Sequence, residues 1–124
     1  MELGKRFAFL GKQFHLPVEG EDFYVDLLFF HTHLNCHVVI ELKVGNFKPD
    51  YVGQLNFYVN AVNGILKRNH HNPTIGLLLV KENNKVIAQY SLEGVNNPIG
   101  IARYQLSEDL PTEKQLQEVL QKAI

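Results

Sequence analysis

Three residues of the sequence, Asp26, Glu41 and Lys43, are of the types that metal-dependent hydrolysis of a phosphodiester requires. Two carboxylates can hold a hard divalent cation through their oxygen atoms. Such a cation polarises a phosphate and lowers the pKa of a bound water. A neighbouring ammonium group orients that water and stabilises negative charge in the transition state. We therefore predict that these three residues are the catalytic residues.

The positions of the three residues in the predicted strands should bring them together. Asp26 interrupts the apolar run of residues 23–31, and a buried carboxylate is costly unless it is paired or binds a metal. Glu41 and Lys43 are two residues apart in the next apolar run, and side chains with that spacing share one face of a strand. If the two runs form a hairpin, Asp26 reaches the same face.

The hydrophobic pattern predicts the elements that position these residues. Strands are predicted over residues 7–17, 23–31 and 36–43, which together form an antiparallel meander. A helix follows from Pro49 to a stop at Asn63-Gly64. The remaining predicted elements are a strand over 74–80, a short helix over 84–92 (where a strand is the alternative), a strand over 101–106 and a helix over 111–123. The predicted fold class is α/β (α+β), with a mixed sheet flanked by helices.

Gln54 and Tyr58 add a polar pair to the predicted helix that follows Lys43. Residues four apart lie on the same face of a helix. Tyrosine is common on a buried stripe, but glutamine there needs a polar partner. The active site or a phosphate is a candidate partner, and hydrogen bonding to a nearby backbone group is the alternative.

Composition restricts the class of protein. The chain has 124 residues, which fits one compact domain over 1–124. Cys36 is the single cysteine, so no intramolecular disulfide can form. No apolar run approaches the roughly 18 residues of a membrane span, and residues 1–6 lack the apolar core of a signal peptide. We expect a cytoplasmic protein without membrane contact.

The formal net charge of −1 counts mildly against a nucleic-acid-binding role, because such proteins usually carry a positive excess. The balance is less adverse for a nuclease, whose active site contains carboxylates that a metal ion offsets. A further domain could also supply most of the phosphate contacts.

The order of these motifs resembles a known enzyme superfamily. A strand aspartate, a hairpin, Glu-x-Lys and then Gln-x-x-x-Tyr on a helix are similar to the RecB-like and resolvase-like branches of the PD-(D/E)xK nucleases. Most of the chain closely resembles the C-terminal nuclease domain of YhcG-like bacterial proteins. The runs that carry this likeness are Phe7–Gln13, Asp22–Phe30, Ile40–Lys43, Phe47–Pro49, Gly53–Tyr58 and Pro98–Gly100.

The resemblance implies a restriction-endonuclease-like fold that uses Mg²⁺ or Mn²⁺. Asp26, Glu41 and the backbone carbonyl of Leu42 would be the metal ligands, and Lys43 the catalytic lysine. Gln54, Tyr58 and Gln13 would support the substrate or the water on the metal.

The sequence departs from the superfamily pattern in two places. Val25 replaces the proline that precedes the strand aspartate, which does not affect the metal chemistry. Glu2 is the sole acid before the first strand, so it is the one candidate for the ligand that some members take from a first helix. The helical N-terminal domain that usually accompanies YhcG-like proteins is absent from this chain.

The resulting prediction is a nuclease that hydrolyses phosphodiester bonds in DNA, in DNA repair, recombination or defence against foreign DNA. Its expected partners are nucleic acid, a separate N-terminal helical domain and, if it self-associates, a second copy in a homodimer. The main alternative is a catalytically inactive module that keeps the fold and binds nucleic acid or a protein partner, with Asp26 and Lys43 as a structural ion pair. A zinc-bound hairpin is a third reading and requires convergence of His31, His33, Cys36 and His37.

Overall fold

The computed structural model describes residues 6–103, which form a five-stranded sheet and two helices. The elements in chain order are β1 (Phe7–Val18), β2 (Glu21–His31), β3 (Cys36–Leu42), α1 (Asp50–Ile65), β4 (Ile75–Val80), α2 (Lys85–Leu92) and β5 (Ile99–Arg103). The strands lie in sequence order across the sheet. The first three are antiparallel, whereas β3, β4 and β5 run parallel, so the sheet is mixed as predicted.

Most predicted boundaries agree with the structure to within two residues. The β1–β2 turn is shorter than the gap between the two predicted strands. It consists of two residues, Glu19 and Gly20, which both have positive φ angles. Residues 85–92 are helical, with the Asn84 side chain accepting hydrogen bonds from two backbone amides of the first turn. β5 begins two residues before the predicted strand, while the predicted helix over 111–123 lies outside the described residues. No helix within residues 6–103 is long and apolar enough to cross a membrane.

Each face of the sheet carries its own apolar cluster, which explains why the central strands are apolar throughout. The face covered by α1 buries residues from the sheet, from the loop before α1 and from both helices: Leu16, Val25, Leu28, Val39, Phe47, Val52, Leu55, Tyr58, Val59, Val62, Leu78, Val80 and Ala88. The opposite face buries Phe7, Leu27, Phe29, Cys36, Val38, Ile40, Ile75, Leu77 and Leu79.

Gly76 sets how closely α1 approaches β4. A Cβ atom at this position would lie 2.8 Å from Cγ2 of Val59 and 3.1 Å from Cγ of Leu55. Both side chains belong to the buried face of α1, so a larger residue would push the helix away from the sheet. The same helix carries Gln54 and Tyr58, and its close packing therefore fixes their position relative to β3.

The pairing of β2 with β3 stops next to Asp26, and the pairing of β2 with β1 skips that residue. The β2–β3 ladder begins at the pair Leu27 and Ile40. On the other side, the β1–β2 ladder passes over Gln13 and Asp26, and Gln13 has a φ of 48°. Val25 and Leu28 are three residues apart yet both face α1, so the alternation of side chains shifts by one residue here. The β2–β3 pairing therefore stops beside the predicted catalytic aspartate, whereas β1 and β2 stay paired on both sides of it.

Candidate active site

The carboxylates of Asp26 and Glu41 both accept backbone amide hydrogens where the β2–β3 ladder ends. The backbone N–H of Asp26 donates to Oε2 of Glu41 at 2.8 Å. The backbone N–H of Leu42 donates to Oδ2 of Asp26, also at 2.8 Å. Both carboxylates thus accept backbone amides just beyond the last β2–β3 pair, Leu27 and Ile40. Because amide donors fix both groups, the two carboxylates are held next to each other before any ligand arrives.

Asp26 opens onto a cleft at the edge of the sheet. The side-chain amide of Gln13 donates to its second oxygen, Oδ1, at 3.1 Å. The cleft has a volume of about 280 Å³ and is lined by Lys12, Gln13, Asp26, Leu27 and Leu42. It is therefore large enough for small ligands such as a hydrated cation, and it is bounded by a carboxylate, an amide and an ammonium group.

Glu41 is almost completely buried, with 3% of its surface exposed. Burial raises the pKa of Glu41 to about 7, and the neighbouring Asp26 carboxylate also raises it. The hydrogen bond from the Asp26 amide and the positive charge of Lys43 act in the opposite direction. The ionised form of Glu41 is therefore poorly stabilised by the protein alone, and a bound cation would stabilise it.

Lys43 lies on the α1 side of the site and contacts the helix. Its Nζ donates to Oε1 of Gln54 at 2.8 Å and lies 4.9 Å from the centre of the Tyr51 ring. The Gln54 amide in turn donates to the Tyr58 hydroxyl over a long 3.4 Å. Burial raises the pKa of Tyr58, as does the negative charge of Glu41. Gln54 therefore connects the lysine to the tyrosine.

The residues predicted from the sequence form two groups. Gln13, Asp26 and Glu41 are linked around the end of the ladder, whereas Lys43, Gln54 and Tyr58 are linked across β3 and α1. Within residues 6–103 the ion pairs are His15–Asp22 and Arg103–Glu82, so the structural pair of Asp26 with Lys43 does not form there. The described contacts of Leu42 involve its amide, and the ligand role of its carbonyl stays a prediction. Glu2 lies outside the described residues.

Lys12 also lines the cleft, and the sequence motifs did not identify it. It is adjacent to Gln13, which was expected in the site. The alternation of strand side chains would place Lys12 and Gln13 on opposite faces. The irregular backbone at Gln13 breaks that rule, so the sequence pattern contained no signal for Lys12.

The histidines of the β2–β3 hairpin pack as structural residues. His31 lies edge-on to Phe7, with ring centres 4.5 Å apart, and its Nδ1 accepts the amide of Leu34 at 2.9 Å. His37 packs in the same way against Phe30 at 5.1 Å. In the described part of the chain, no group of three or more His, Cys, Asp or Glu side chains is arranged to hold a metal ion. The zinc-bound hairpin therefore has no support in residues 6–103.

The carboxylate pair suits a hard divalent cation such as Mg²⁺ or Mn²⁺. Its donors are oxygen atoms, which such cations prefer over nitrogen and sulfur. The hydrogen bonds among described residues involve Oε2 of Glu41 and leave lone pairs on both carboxylates. Two protein carboxylates are the number that Mg²⁺ commonly uses, because it retains several waters.

Comparisons with known proteins identify relatives of the chain. The family described as the YhcG PDDEXK nuclease domain matches residues 1–121. A relative from Escherichia coli (strain K12), YhcG, which is named as a candidate nuclease, is 40% identical over 120 residues. That alignment covers 97% of this chain and 32% of the relative, so the chain spans about a third of its length.

Solved structures of nucleases have a similar fold. The EndoMS complex with double-stranded DNA has a TM-score of 0.61 and 19% identity, over 86% of this chain and 39% of that chain. A repair endonuclease from Pyrococcus abyssi has a TM-score of 0.54 and 17% identity, over 82% and 39% of the two chains. At this identity the likeness establishes the fold, which is restriction-endonuclease-like. The match over almost the whole sequence shows the family: the chain belongs to the YhcG PDDEXK nuclease domain family.

Proposed function

We propose that this domain hydrolyses phosphodiester bonds in DNA with Mg²⁺ or Mn²⁺ as cofactor. The observation that carries the proposal is the pair of carboxylates at the end of the ladder: Glu41 accepts the Asp26 amide, and Asp26 accepts the amide of Leu42, the residue after Glu41. Two carboxylates held together without a neutralising ion pair, one of them buried, are unfavourable unless a cation or a proton joins them. A fold that nevertheless keeps this arrangement is best explained by a metal site.

Asp26 and Glu41 would hold the metal, and the Leu42 carbonyl is the proposed third protein ligand. When bound, the cation supplies Lewis acidity at the phosphate and lowers the pKa of a water. The Leu42 amide and the Gln13 side chain orient the Asp26 carboxylate through its two oxygens. The Asp26 amide orients Glu41 in the same way. The protein thus presents the ligands in a fixed arrangement, and little reorganisation is needed on binding.

Lys43 is the proposed catalytic lysine. The Gln54 carbonyl oxygen and the Tyr51 ring hold its ammonium group, and its charge lowers the pKa of Glu41. In this position it would stabilise the negative charge that develops on the phosphate. Gln54 and Tyr58 are proposed to position Lys43 and the substrate. The contact from Gln54 to Tyr58 is long, so we assign Tyr58 chiefly to packing beneath the site.

DNA is the proposed substrate because two of the similar folds are described as a complex with double-stranded DNA and as a repair endonuclease. Repair, recombination or defence against foreign DNA is the proposed role. Since the chain covers about a third of its Escherichia coli relative, an additional helical domain and a homodimeric assembly are proposed as its partners. They would add DNA contacts that a domain of net charge −1 provides sparsely.

A cleavage assay on a panel of substrates tests the proposal. The full chain is incubated with duplex, branched and single-stranded DNA and with RNA, in Mg²⁺, Mn²⁺ or EDTA. We expect metal-dependent cleavage of DNA that Asp26→Asn abolishes. The asparagine keeps an oxygen that can accept the Leu42 amide, so thermal unfolding should change little.

Asp22→Asn is the matched control, because Asp22 lies on the same strand and pairs with the exposed His15. It should cleave like the wild type. Cleavage by Asp26→Asn at the wild-type rate would contradict the assignment. A wild type that binds nucleic acid and cleaves none of the substrates would favour the inactive binding module.

A further inference from the structure

The charges around the site are distributed unevenly. Residues 7–42, which form the first three strands and their turns, contain one lysine, Lys12 in the cleft, and no arginine. The same range contains five carboxylates: Glu19, Glu21, Asp22, Asp26 and Glu41. The segments that follow β3 and β4, residues 43–50 and 81–85, have the opposite composition. They carry Lys43, Lys48, Lys81 and Lys85 against Asp50 and Glu82, which gives a net charge of +2.

These two segments are held together by backbone hydrogen bonds beyond the ends of the strands. The amide of Lys81 donates to the Gly45 carbonyl at 3.2 Å, and the amide of Phe47 donates to the Glu82 carbonyl at 2.8 Å. Asn46 and Glu82 form a parallel bridge. The segments therefore extend the parallel sheet as a single edge. We call the exposed lysines of this edge, Lys48, Lys81 and Lys85, the basic rim.

The basic rim lies close to the carboxylates. Glu41 pairs in register with Leu78 of β4, three residues before Lys81. Three residues of strand span roughly 10 Å, which is about three nucleotide steps of one DNA strand at roughly 3.4 Å each. Glu82 contacts Arg103 at 3.5 Å, so this acid of the edge is already offset. A substrate held at Asp26 and Glu41 would therefore reach these lysines within a few nucleotides.

We propose that the basic rim binds the phosphate backbone of the substrate. DNA then leaves the active site over the carboxyl ends of β3 and β4, and away from the acidic tip of the β1–β2 hairpin. Lysine contacts to phosphate set the register of a nucleic acid without reading its sequence. This inference rests on the proposed nuclease function and adds the direction in which the substrate runs.

A second basic segment, Lys67 and Arg68, provides the internal control. It follows α1 and packs near His71, whose Nδ1 accepts the Arg68 amide at 3.1 Å. The His71 ring contacts His37, near the start of β3. His37 and Glu41 are four residues apart in that strand, or about 13 Å. The basic rim lies beyond the carboxyl ends of β3 and β4, whereas this segment lies near the start of β3. A substrate bound along the rim would therefore not contact Lys67 or Arg68.

The experiment compares two variants of the full chain. Lys48→Ala/Lys81→Ala/Lys85→Ala removes the rim, and Lys67→Ala/Arg68→Ala removes the control charges. Binding of a short labelled DNA duplex is measured in EDTA across a salt series of about 50–200 mM. Each phosphate contact contributes about 0.9 to the slope of log K against log salt. We expect the rim variant to lose about 2–3 from that slope, with equal weakening for unrelated DNA sequences, and the control to lose less than 1.

An unchanged slope in the rim variant, or a larger loss in the control, would overturn the proposal. Thermal unfolding of both variants confirms that the fold is retained, which is expected because the rim side chains are exposed. Cleavage is measured in parallel, so that failure of the basic-rim proposal can be distinguished from failure of the proposed nuclease function. A wild type that cleaves while the rim variant keeps the wild-type slope refutes the rim alone, whereas a wild type that neither binds nor cleaves refutes both.

Discussion

Buried polar residues occur at both ends of the β2–β3 hairpin, but their surroundings differ. At the turn end, backbone pairing is regular, with His31 opposite Cys36 and Phe30 opposite His37. The histidine rings there pack against phenylalanine rings. At the other end the ladder stops, and the carboxylates of Asp26 and Glu41 accept backbone amide hydrogens just beyond its last pair. Polar residues in apolar strands can therefore be structural or functional, and the state of the backbone ladder distinguishes them.

Burial disfavours the charged form at both ends, but the consequences differ. Burial lowers the pKa of His37, and the nearby His71 adds to the effect. Burial raises the pKa of Glu41 to about 7. The histidine end loses nothing at neutral pH, where histidine is already uncharged. The carboxylate end is unfavourable there until a cation binds, so it is the end where a ligand gains free energy.

The largest effect is expected when the lysine of the carboxylate end is removed. Lys43→Ala should slow cleavage by on the order of 10²–10³, the usual cost of losing one group that stabilises a transition-state charge. Manganese affinity should change little, because a protonated lysine does not ligate a metal. Single-turnover cleavage beside a manganese titration measures both quantities.

Lys67→Ala is the control for this prediction, since it removes an equal charge from the segment after α1, outside the proposed DNA path. At saturating protein it should leave single-turnover cleavage near the wild-type rate. If Lys43→Ala weakens manganese binding as much as cleavage, Lys43 organises the site and does not act in the chemical step.

A smaller effect is expected on stability at the buried carboxylate. In the folded protein the pKa of Glu41 is about 7, against an ordinary value of 4.5. The folded state therefore holds its proton more tightly than the unfolded state. Without metal, stability should fall as pH rises from about 4.5 to 7 and stay low above that, by about 3 kcal/mol in all.

Glu41→Gln removes this titration and keeps an oxygen to accept the Asp26 amide. In EDTA the variant should be more stable than the wild type at pH 8 by about 3 kcal/mol, and nearly equal to it at pH 4.5. Urea unfolding at the two pH values measures the difference. Added Mg²⁺ should stabilise the wild type at pH 8 more than the variant. If the free energy of unfolding depends on pH equally in both proteins, ionisation of Glu41 does not destabilise the folded state.

Much of the fold could be predicted from the sequence because apolar periodicity depends on local chemistry. The strands β1 to β4 and the helix after Pro49 follow directly from it, and the pairing of β2 with β3 brings Asp26 to Glu41. The irregular backbone at Gln13 could not be predicted, because a positive φ in a residue other than glycine reflects tertiary constraint. The position of Lys12 in the cleft depends on that irregularity and was missed with it.

The smallest effect is expected from substituting His37 at the histidine end. This substitution tests whether a buried polar residue in a regularly paired strand has a structural role alone. His37 is buried, and its Nδ1 has no hydrogen-bond partner among the described residues. A buried polar atom without a partner costs about 1–3 kcal/mol. His37→Phe removes that atom and keeps an aromatic ring against Phe30, although the larger ring offsets part of the gain. We expect a rise in stability of about 1 kcal/mol at pH 7.

The pH dependence at this end should have the opposite sign to that of Glu41. Because the folded pKa of His37 is lowered, the unfolded chain takes up a proton first as pH falls below about 6.5, and the wild type loses stability there. His37→Phe should lose less stability between pH 7 and 5, while its DNA cleavage stays at the wild-type rate. Urea unfolding at both pH values and a cleavage assay measure these outcomes. A variant that folds normally but no longer cleaves would place His37 in the functional machinery and remove the distinction between the two ends of the hairpin.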